Sequence, residues 1–398
     1  MELYLQLGHN MMSLCKDLLQ QWGHGTVVLS PRDLKKDQLF RFTQEISSLH
    51  GQTLLDPQFY DPRADHKRLV KHSYWPDDYS TAFLGNPEFV QNLLHVIGTY
   101  NTQLGTKAYI VPGLYCERVE DDWCAVQESV LTAAAALFPD QRRLATLCLS
   151  AETVRFEEQV EILLARAEDW DVDGYYVVAE HPNNRYLVED PLWLANLLIL
   201  CSGLKLQGRE VIVGYSGHQM LCLAAANVDA IASGAWLNVR SFSMGRFAQT
   251  TSETTKRRAV WYYCPQSLSE YKTLFLDIAS RAGLLQQLRA DSTLGSGYAD
   301  VLFSGAMPSS TGYGETQSFK HYLQCLHEQV QSARRSSFQE TLNAQQLMLE
   351  TADQFTELFQ NSGVRGQDRD FRDMIDVNLA ALDVLRDARG FALSREWS

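Results

Sequence analysis

The stretch GREVIVGYSGHQMLCLAAANVDAIASGAWLNVRSF, residues 208–242, predicts one complete strand–helix–strand unit. Residues 210–215 (EVIVGY) form a short β-branched run that is typical of a buried parallel strand. Residues 218–227 (HQMLCLAAAN) are rich in Ala and Leu and are long enough for about three helical turns. Residues 229–233 (DAIAS) predict a second buried strand. The unit therefore favours a parallel α/β fold.

Six more strand-like runs precede this unit, with helical segments between them. They are residues 3–7, 26–29, 53–55, 107–111, 144–149 and 174–178. Eight strands that alternate with helices predict a closed, parallel (β/α)8 barrel of the TIM type. The alternative is an open doubly wound sheet, which predicts a G-x-G-x-x-G turn after an early strand. The sequence has no such turn, so the barrel is favoured.

The pattern changes near residue 263, after which the chain is predicted to be mostly helical. The helical segments are residues 267–288, 317–335, 339–360 and 368–387. We therefore predict a barrel over residues 1–262 and a helical C-terminal region over residues 263–398, packed on the barrel as an appendix.

In the second helix, HYLQCLH places His321 and His327 six residues apart, on different faces. This spacing predicts helix surface and core rather than a metal site.

Composition and charge restrict the class of protein. Hydrophobic residues make up 45% and charged residues 21% of the 398 residues, as in ordinary globular proteins. The sequence shows neither an apolar run of about 18 residues nor a signal peptide, and the eight scattered cysteines favour reduced thiols. A cytoplasmic protein without a membrane segment is therefore expected. The net charge of −13 argues against a free-standing, nonspecific nucleic-acid binder.

The carboxyl ends of the predicted strands supply the candidate site, because the active sites of such barrels lie there. Two carboxylates on different strands, Asp56 and Glu180, have the chemistry to divide acid, base or nucleophile work at a sugar carbon. Helix capping or pairing across loops is the alternative for each. The candidate substrate-binding residues at the same ends are Gln58, Tyr60, Tyr115, His181, Ser216, Gly217, His218 and Arg240. Without H-x-H, H-E-x-x-H or paired C-x-x-C motifs, we predict no metal and no other cofactor.

A long segment after the third strand, residues 61–86, mixes basic and aromatic residues. Such a mixture can hold a nucleic-acid backbone and stack bases. The alternative is a solvated loop with a few buried aromatic side chains. A second basic cluster follows the barrel and precedes an aromatic run. The candidate nucleic-acid-binding residues are Arg63, Lys67, Arg68, Lys71, Lys256, Arg257 and Arg258.

These segments together resemble the tRNA-guanine transglycosylase superfamily, including its relatives that insert 7-deazaguanine bases into DNA. The resemblance is clearest in residues 213–247, VGYSGHQMLCLAAANVDAIASGAWLNVRSFSMGRF. LLDPQFY places Asp56 at the family's third-strand aspartate, and VVAEH offers Glu180 where the family's sixth strand ends in Gly-Glu. The helices SFKHYLQCLHEQVQ and QETLNAQQLMLETADQFTELF are similar in placement to the family's helical tail. The likeness extends over most of the chain as a pattern of short motifs.

The resemblance implies an enzyme that exchanges a guanine-type base in DNA or tRNA. Asp56 would act as general acid, base or nucleophile, and Glu180 would recognise the base or supply the second carboxylate. Gln58 would read the base edge, and the phosphate would lie near Ser216-Gly217 or Arg240. The implied partners are the nucleic acid and a guanine or 7-deazaguanine base.

The sequence departs from that family at three points, one of which is that the family's recognition aspartate after the fourth strand has no match in VPGLYCE, residues 111–117. The zinc motif C-x-C-x-x-C is absent, and the family's eighth-strand nucleophile falls near Ala232-Ser233. Two alternatives therefore stay open. One is a non-catalytic, transglycosylase-like subunit of a nucleic-acid-modifying or defence complex, which acts with a partner subunit or as a homo-oligomer. The other is a barrel enzyme that acts on a small phosphorylated or glycosylated metabolite.

Overall fold

A closed barrel of eight parallel strands forms the centre of the molecule. The computed structural model describes residues 1–76, 84–247, 259–294 and 296–397. The strands, β1 to β8, are Glu2–Gln6, Gly25–Leu29, Gly51–Leu55, Tyr109–Val111, Arg143–Leu149, Gly174–Ala179, Glu210–Val213 and Ala230–Ser233. Each strand pairs in parallel with the next, and β8 pairs with β1 from Glu2↔Ala230 to Leu5↔Ser233. The predicted TIM-type barrel is therefore confirmed.

Burial on both faces explains why the strands are continuous apolar runs. Every residue of β5 (RLATLCL) and β6 (GYYVVA) is buried, since the barrel interior covers one face and the helical layer covers the other. A further strand of two residues, Tyr115–Cys116, pairs with the end of β5. This pairing brings Tyr115 to the carboxyl end of the barrel.

Some of the helices between the strands begin at side-chain caps. The first seven, α1 to α7, are Met12–Trp22, Lys36–Ser48, Pro87–Leu104, Asp121–Leu137, Ala151–Arg155, Glu157–Glu168 and Pro191–Leu206. Asn86 and Asp190 accept backbone N–H groups at the starts of α3 and α7, and a proline follows each cap. No described helix is long and apolar enough to cross a membrane.

The unit between β7 and β8 differs from the prediction. Residues His218–Ala226 form a 3-10 helix that ends at Asn227, which has a left-handed φ of 61°. All nine residues are buried. Three C-terminal helices contact this element: α10 (Glu315–Ala333), α11 (Phe338–Asn361) and α12 (Ile375–Glu396). The predicted helical C-terminal region is therefore confirmed, and its helices complete the outer layer of the barrel.

A β-hairpin stands where part of the predicted helix 267–288 was expected. Its strands, β9 (Trp261–Cys264) and β10 (Ser269–Lys272), pair antiparallel and precede α8 (Thr273–Arg281) and α9 (Leu285–Leu288). Leu268 has a left-handed φ of 49° in the turn. The helix prediction over residues 267–272 was wrong because residues 269–272 pair with the aromatic strand β9. Helical periodicity within a segment does not show that the segment pairs with another strand. The predicted domain boundary at 262/263 falls inside β9.

Candidate active site at the mouth of the barrel

Asp56 follows β3 and lies in a buried cluster of tyrosines. Its Oδ2 atom accepts the Tyr60 hydroxyl at 2.7 Å and the Tyr215 hydroxyl at 3.2 Å, and the Tyr176 hydroxyl lies 3.4 Å away. Its Oδ1 atom accepts the Gln58 N–H at 2.9 Å. Burial raises the pKa of Asp56 to about 6, although these hydrogen bonds oppose the increase. A proton can therefore be held on Asp56 close to neutral pH.

The turn after β3 sets the position of this carboxylate. Gln58 has a left-handed φ of 53°, and Tyr215, which follows β7, has one of 52°. Such conformations are unfavourable for side-chain-bearing residues and persist where the surroundings enforce them. Here the Gln58 amide donates to the Tyr215 hydroxyl at 2.9 Å and accepts the Arg32 N–H at 2.8 Å. Gln58, predicted to read a base edge, thus fixes the turn around Asp56.

Glu180, at the end of β6, is the second predicted carboxylate and is partly exposed. It accepts a hydrogen bond from the Tyr115 hydroxyl through Oε2 and from the Met244 N–H at 3.1 Å through Oε1. Burial and the neighbouring Glu180 raise the pKa of Tyr115, so this hydroxyl stays protonated and donates. The structure therefore brings together the predicted residues Glu180 and Tyr115. Met244 contributes its backbone N–H, and a sequence motif made of side chains cannot predict such a contact.

Cys148 on β5 lies within electrostatic range of both carboxylates. It is fully buried, and its pKa is raised first by burial and then by Asp56 and Glu180. The thiol therefore stays protonated at neutral pH. Asp56 and Glu180 each follow the carboxyl end of a parallel strand, β3 and β6, and so lie at the same end of the barrel, on either side of β5 along the strand order.

An aromatic cluster covers Asp56. The Tyr60 ring is 5.3 Å from both Phe242 and Phe247, and the Tyr215 ring is 5.2 Å from Phe242 (distances between ring centroids). Phe242 and Phe247 come from the segment after β8. Asp56 itself has no exposed surface. Its carboxylate is thus separated from solvent, whereas Glu180 is not.

A cleft of about 820 Å³ opens beside Glu180. Tyr115 and Met244, which bind Glu180, and Tyr60, which binds Asp56, belong to its lining. The wall carries both charges and aromatic rings, and the remaining lining residues are Asp61, Pro62, Arg63, Leu114, Glu117, Arg118, Glu120 and Trp123. The cleft has the size of a small-molecule site, and its charged and aromatic side chains suit a polar ring-shaped ligand.

Tyr60 and Tyr115 line this cleft, and the other six predicted substrate-binding residues do not: Gln58, Arg240 and the four residues Ser216, Gly217, His218 and His181. Ser216 is buried and donates its hydroxyl to the Val213 carbonyl at 3.0 Å. A side chain at Gly217 would meet the Tyr186 ring at 3.0 Å. His218 is buried, and its Nδ1 atom is 3.1 Å from the Tyr186 hydroxyl. The fourth, His181, is buried too, with Nδ1 3.2 Å from the Arg185 carbonyl.

Burial lowers the pKa of both His181 and His218 to about 4, so each ring is neutral. The His218 ring is 4.9 Å from the Tyr263 ring and 5.5 Å from the Phe371 ring, both of which belong to the C-terminal region. His218 therefore packs at the interface between the barrel and that region.

Arg240 lies in the same interface. Its guanidinium donates to the carbonyls of Gly234 and Ala235 and is 3.2 Å from Glu270, while Arg369 binds the other Glu270 oxygen at 2.8 Å. Burial alone would raise the pKa of Glu270, but Arg369 and Arg240 hold it at about 2. Arg240 already forms an ion pair with Glu270, and the predicted contact with a phosphate would have to compete with that pair.

The basic residues of the segment after β3 differ in their exposure and contacts. Arg63, Lys67 and Lys71 are exposed, whereas Arg68 donates to the Asp33 carbonyl. The aromatic residues Tyr74 and Trp75 are 4% and 6% exposed and belong to the core, so they are not available to stack bases. The second cluster, Lys256, Arg257 and Arg258, lies outside the described residues.

Comparisons with known proteins give a likeness at the level of the barrel. No protein family and no curated protein matches the sequence. Native xylanase 10C from Cellvibrio japonicus aligns with 59% of this chain and 62% of its own, with a TM-score of 0.34 and 12% identity. Native xylanase 10B from Thermotoga maritima aligns with 58% of this chain and 82% of its own, with a TM-score of 0.34 and 13% identity. The contacts of Asp56 and Glu180, rather than these likenesses, bear on function.

Proposed function

We propose that the chain is a glycosyl-transferring enzyme that exchanges or modifies a guanine-type base in nucleic acid at the mouth of its barrel. One observation carries the proposal. Asp56 and Glu180 directly follow β3 and β6, lie at the same end of the barrel, and are each held by a tyrosine hydroxyl. Two carboxylates in different environments can divide the two roles that glycosyl transfer requires.

The two environments suggest which role each carboxylate has. Glu180 binds Tyr115 and Met244 of the cleft lining and, unlike Asp56, has exposed surface that a sugar or base can reach. Asp56, with a pKa of about 6, can store and return the proton of the leaving base through the Tyr60 hydroxyl. The target nucleotide would leave the base stack and enter the cleft, as enzymes that do chemistry on a base require.

A base-exchange assay tests this proposal. Purified protein is incubated separately with single-stranded DNA, double-stranded DNA and tRNA, together with radiolabelled guanine or 7-deazaguanine. We expect incorporation that falls by at least about 100-fold in Glu180→Gln and in Asp56→Asn, as for loss of an acid–base group. The control is Asp140→Asn, an exposed position between α4 and β5 at the opposite end of the barrel. Equal incorporation in all variants would reject the two carboxylates.

A barrel enzyme for a small glycosylated or phosphorylated metabolite is the second candidate. The cleft of about 820 Å³ has the size of a small-molecule site, and the burial of Tyr74 and Trp75 removes two stacking surfaces for nucleic acid. Binding of sugar phosphates or nucleosides without oligonucleotide binding would favour it. Oligonucleotide binding without any exchange would instead favour the third reading, a silent subunit, which agrees with the enclosure of Asp56.

A further inference from the structure

A second polar pair lies far from the barrel mouth, in the C-terminal region. The Ser296 hydroxyl is 2.7 Å from Nδ1 of His321, and Nε2 of His321 is 2.8 Å from the Tyr263 carbonyl oxygen. Both side chains line a cavity of about 400 Å³. None of its lining residues belongs to the cleft beside Glu180.

The chemistry of the partners determines which atom donates. A carbonyl oxygen only accepts, so Nε2 must carry the proton that it shares with Tyr263. Nδ1 is then a bare acceptor, and the Ser296 hydroxyl must donate to it. The hydrogen bonds therefore run in one direction, from the Ser296 hydroxyl to the imidazole and from the imidazole to the Tyr263 carbonyl. A serine–histidine pair ordered in this way can activate the serine as a nucleophile.

The imidazole is held firmly in this orientation. The His321 ring is stacked on Tyr262, with centroids 4.8 Å apart and an angle of 15° between the planes, and the Cys325 sulfur is 3.7 Å from both ring nitrogens. The side chain is 1% exposed, and burial lowers its pKa to about 4. The ring is therefore neutral near pH 7, and Nδ1 accepts a hydrogen bond from the Ser296 hydroxyl.

We propose that Ser296 is a nucleophile and His321 its general base, so that this cavity is a second site, which hydrolyses esters of small acyl groups. The Ser296 oxygen attacks the acyl carbon while its proton passes to Nδ1 of His321. The ester C–O bond then breaks, and the leaving alkoxide takes that proton. Water attacks the acyl-serine, gives its proton to Nδ1, and the departing serine oxygen recovers it, which releases the carboxylic acid.

The cavity fits a short acyl chain. Tyr262 and Phe303 form an aromatic wall, with ring centroids 5.6 Å apart, and Arg289 is paired with Asp300 at 2.9 Å in the same lining. A side chain at Gly297 would meet no atom closer than 3.7 Å, so space lies open next to Ser296. Arg289 is the cation of this wall that can approach a developing oxyanion.

Labelling with a fluorophosphonate probe tests the proposal directly. The full chain is treated with the probe, digested and analysed by mass spectrometry, and p-nitrophenyl butyrate hydrolysis is measured in parallel. We expect the label on Ser296, and hydrolysis that falls about 100-fold or more in Ser296→Ala. The matched control, Ser304→Ala, removes an exposed serine from the end of the same 3-10 helix, Gly297–Phe303, and keeps both labelling and hydrolysis.

Each contrary result overturns the proposal. No label on the wild-type chain, or label at another serine, means that the Ser296 hydroxyl only caps His321. Hydrolysis that is equal in wild type and Ser296→Ala means the same. Because the wild-type labelling site is itself decisive, the test does not depend on the stability of the variant. Neither measurement depends on glycosyl transfer, so this proposal fails or stands separately from that for the barrel mouth.

Discussion

Tyr60 donates its hydroxyl to Asp56 across 2.7 Å and so links the enclosed carboxylate to the wall of the open cleft. The carbonyl of the same residue accepts the Tyr115 N–H at 2.9 Å, and the Tyr115 hydroxyl binds Glu180. One residue thus connects the positions of both carboxylates.

Removing the Tyr60 hydroxyl should raise the pKa of Asp56 above about 6. The hydrogen bond stabilises the ionised carboxylate and opposes the effect of burial, so its loss favours the protonated form. The Tyr60→Phe variant should also lose about 1 to 2 kcal/mol of stability as a buried hydrogen bond disappears. Carbon-13 NMR titration of the Asp56 carboxyl would measure the first effect and urea unfolding the second.

The matched control for this change is Tyr74→Phe. Tyr74 is also buried, but its hydroxyl donates to the Pro57 carbonyl at 2.8 Å rather than to Asp56. The control should lose similar stability and leave the Asp56 titration near its original midpoint. An Asp56 midpoint that is unchanged in Tyr60→Phe would contradict the assigned role of that hydroxyl.

Asp56 should lower the stability of the fold at neutral pH. Burial raises its pKa from 3.8 to about 6, so the folded chain binds the proton more tightly than the unfolded chain. The free energy of unfolding therefore falls as the pH rises from about 4 to about 6, by on the order of 2 to 3 kcal/mol, and this contribution is constant above that range. Asp56→Asn removes the charge and should be more stable than wild type at pH 7.5.

Urea unfolding at pH 4.5 and pH 7.5 measures this difference. The gain from Asp56→Asn should be largest at pH 7.5 and small at pH 4.5, where wild-type Asp56 is mostly protonated. Asp140→Asn, at an exposed position, should show no such pH dependence. Destabilisation of Asp56→Asn at pH 7.5 would mean that the three tyrosine hydroxyls require a charged acceptor.

The strands could be predicted because burial in the barrel leaves a local signature. Runs such as LATLCL and GYYVV are apolar without alternation, and each was placed within a few residues of its observed ends. The hairpin β9–β10 was missed because its pairing sets Tyr262 against Tyr271, nine residues along the chain, where helical periodicity carries no information.

The site was predictable only in part, for a related reason. Asp56 and Glu180 end strands, so the fold itself places them at one edge. Arg240 lies in an interface with Glu270, and His218 lies in the same interface with Tyr263 and Phe371. A local sequence pattern cannot predict such contacts between distant segments. The covering of Asp56 by Phe242 and Phe247 likewise depends on a contact between distant segments.

Neutralising Glu270 should destabilise the contact between the barrel and the C-terminal region. The change Glu270→Gln removes the carboxylate that pairs with the buried Arg240, which costs about 3 to 5 kcal/mol. Arg369 and Arg240 hold the Glu270 pKa at about 2, so its contribution is present above pH 4.5 and is lost as the pH falls toward 2. Thermal or urea unfolding measures the loss, with the exposed Glu350→Gln as control. Equal stability of the two variants at pH 7 would contradict this assignment.

If nucleic acid is the substrate, the exposed cations after β3 should set the salt dependence of its binding. Removing Arg63, Lys67 and Lys71 together should reduce the slope of log affinity against log salt by about 2 to 3, since each phosphate contact contributes about 0.7 to 0.9. Arg68 stays in place, because its guanidinium binds the Asp33 carbonyl and its removal would disturb the fold.

Fluorescence anisotropy with a labelled oligonucleotide at several salt concentrations measures this slope. The matched control removes three exposed arginines of the C-terminal region, at positions 281, 386 and 395, and so changes the net charge equally. A local contact predicts that only the first triple variant loses slope. An equal loss in both would show that the overall charge, and not the segment after β3, attracts the nucleic acid. If the wild-type chain binds no oligonucleotide but binds a sugar phosphate or a nucleoside, the small-metabolite function is favoured instead, because such a ligand does not need the exposed cations after β3.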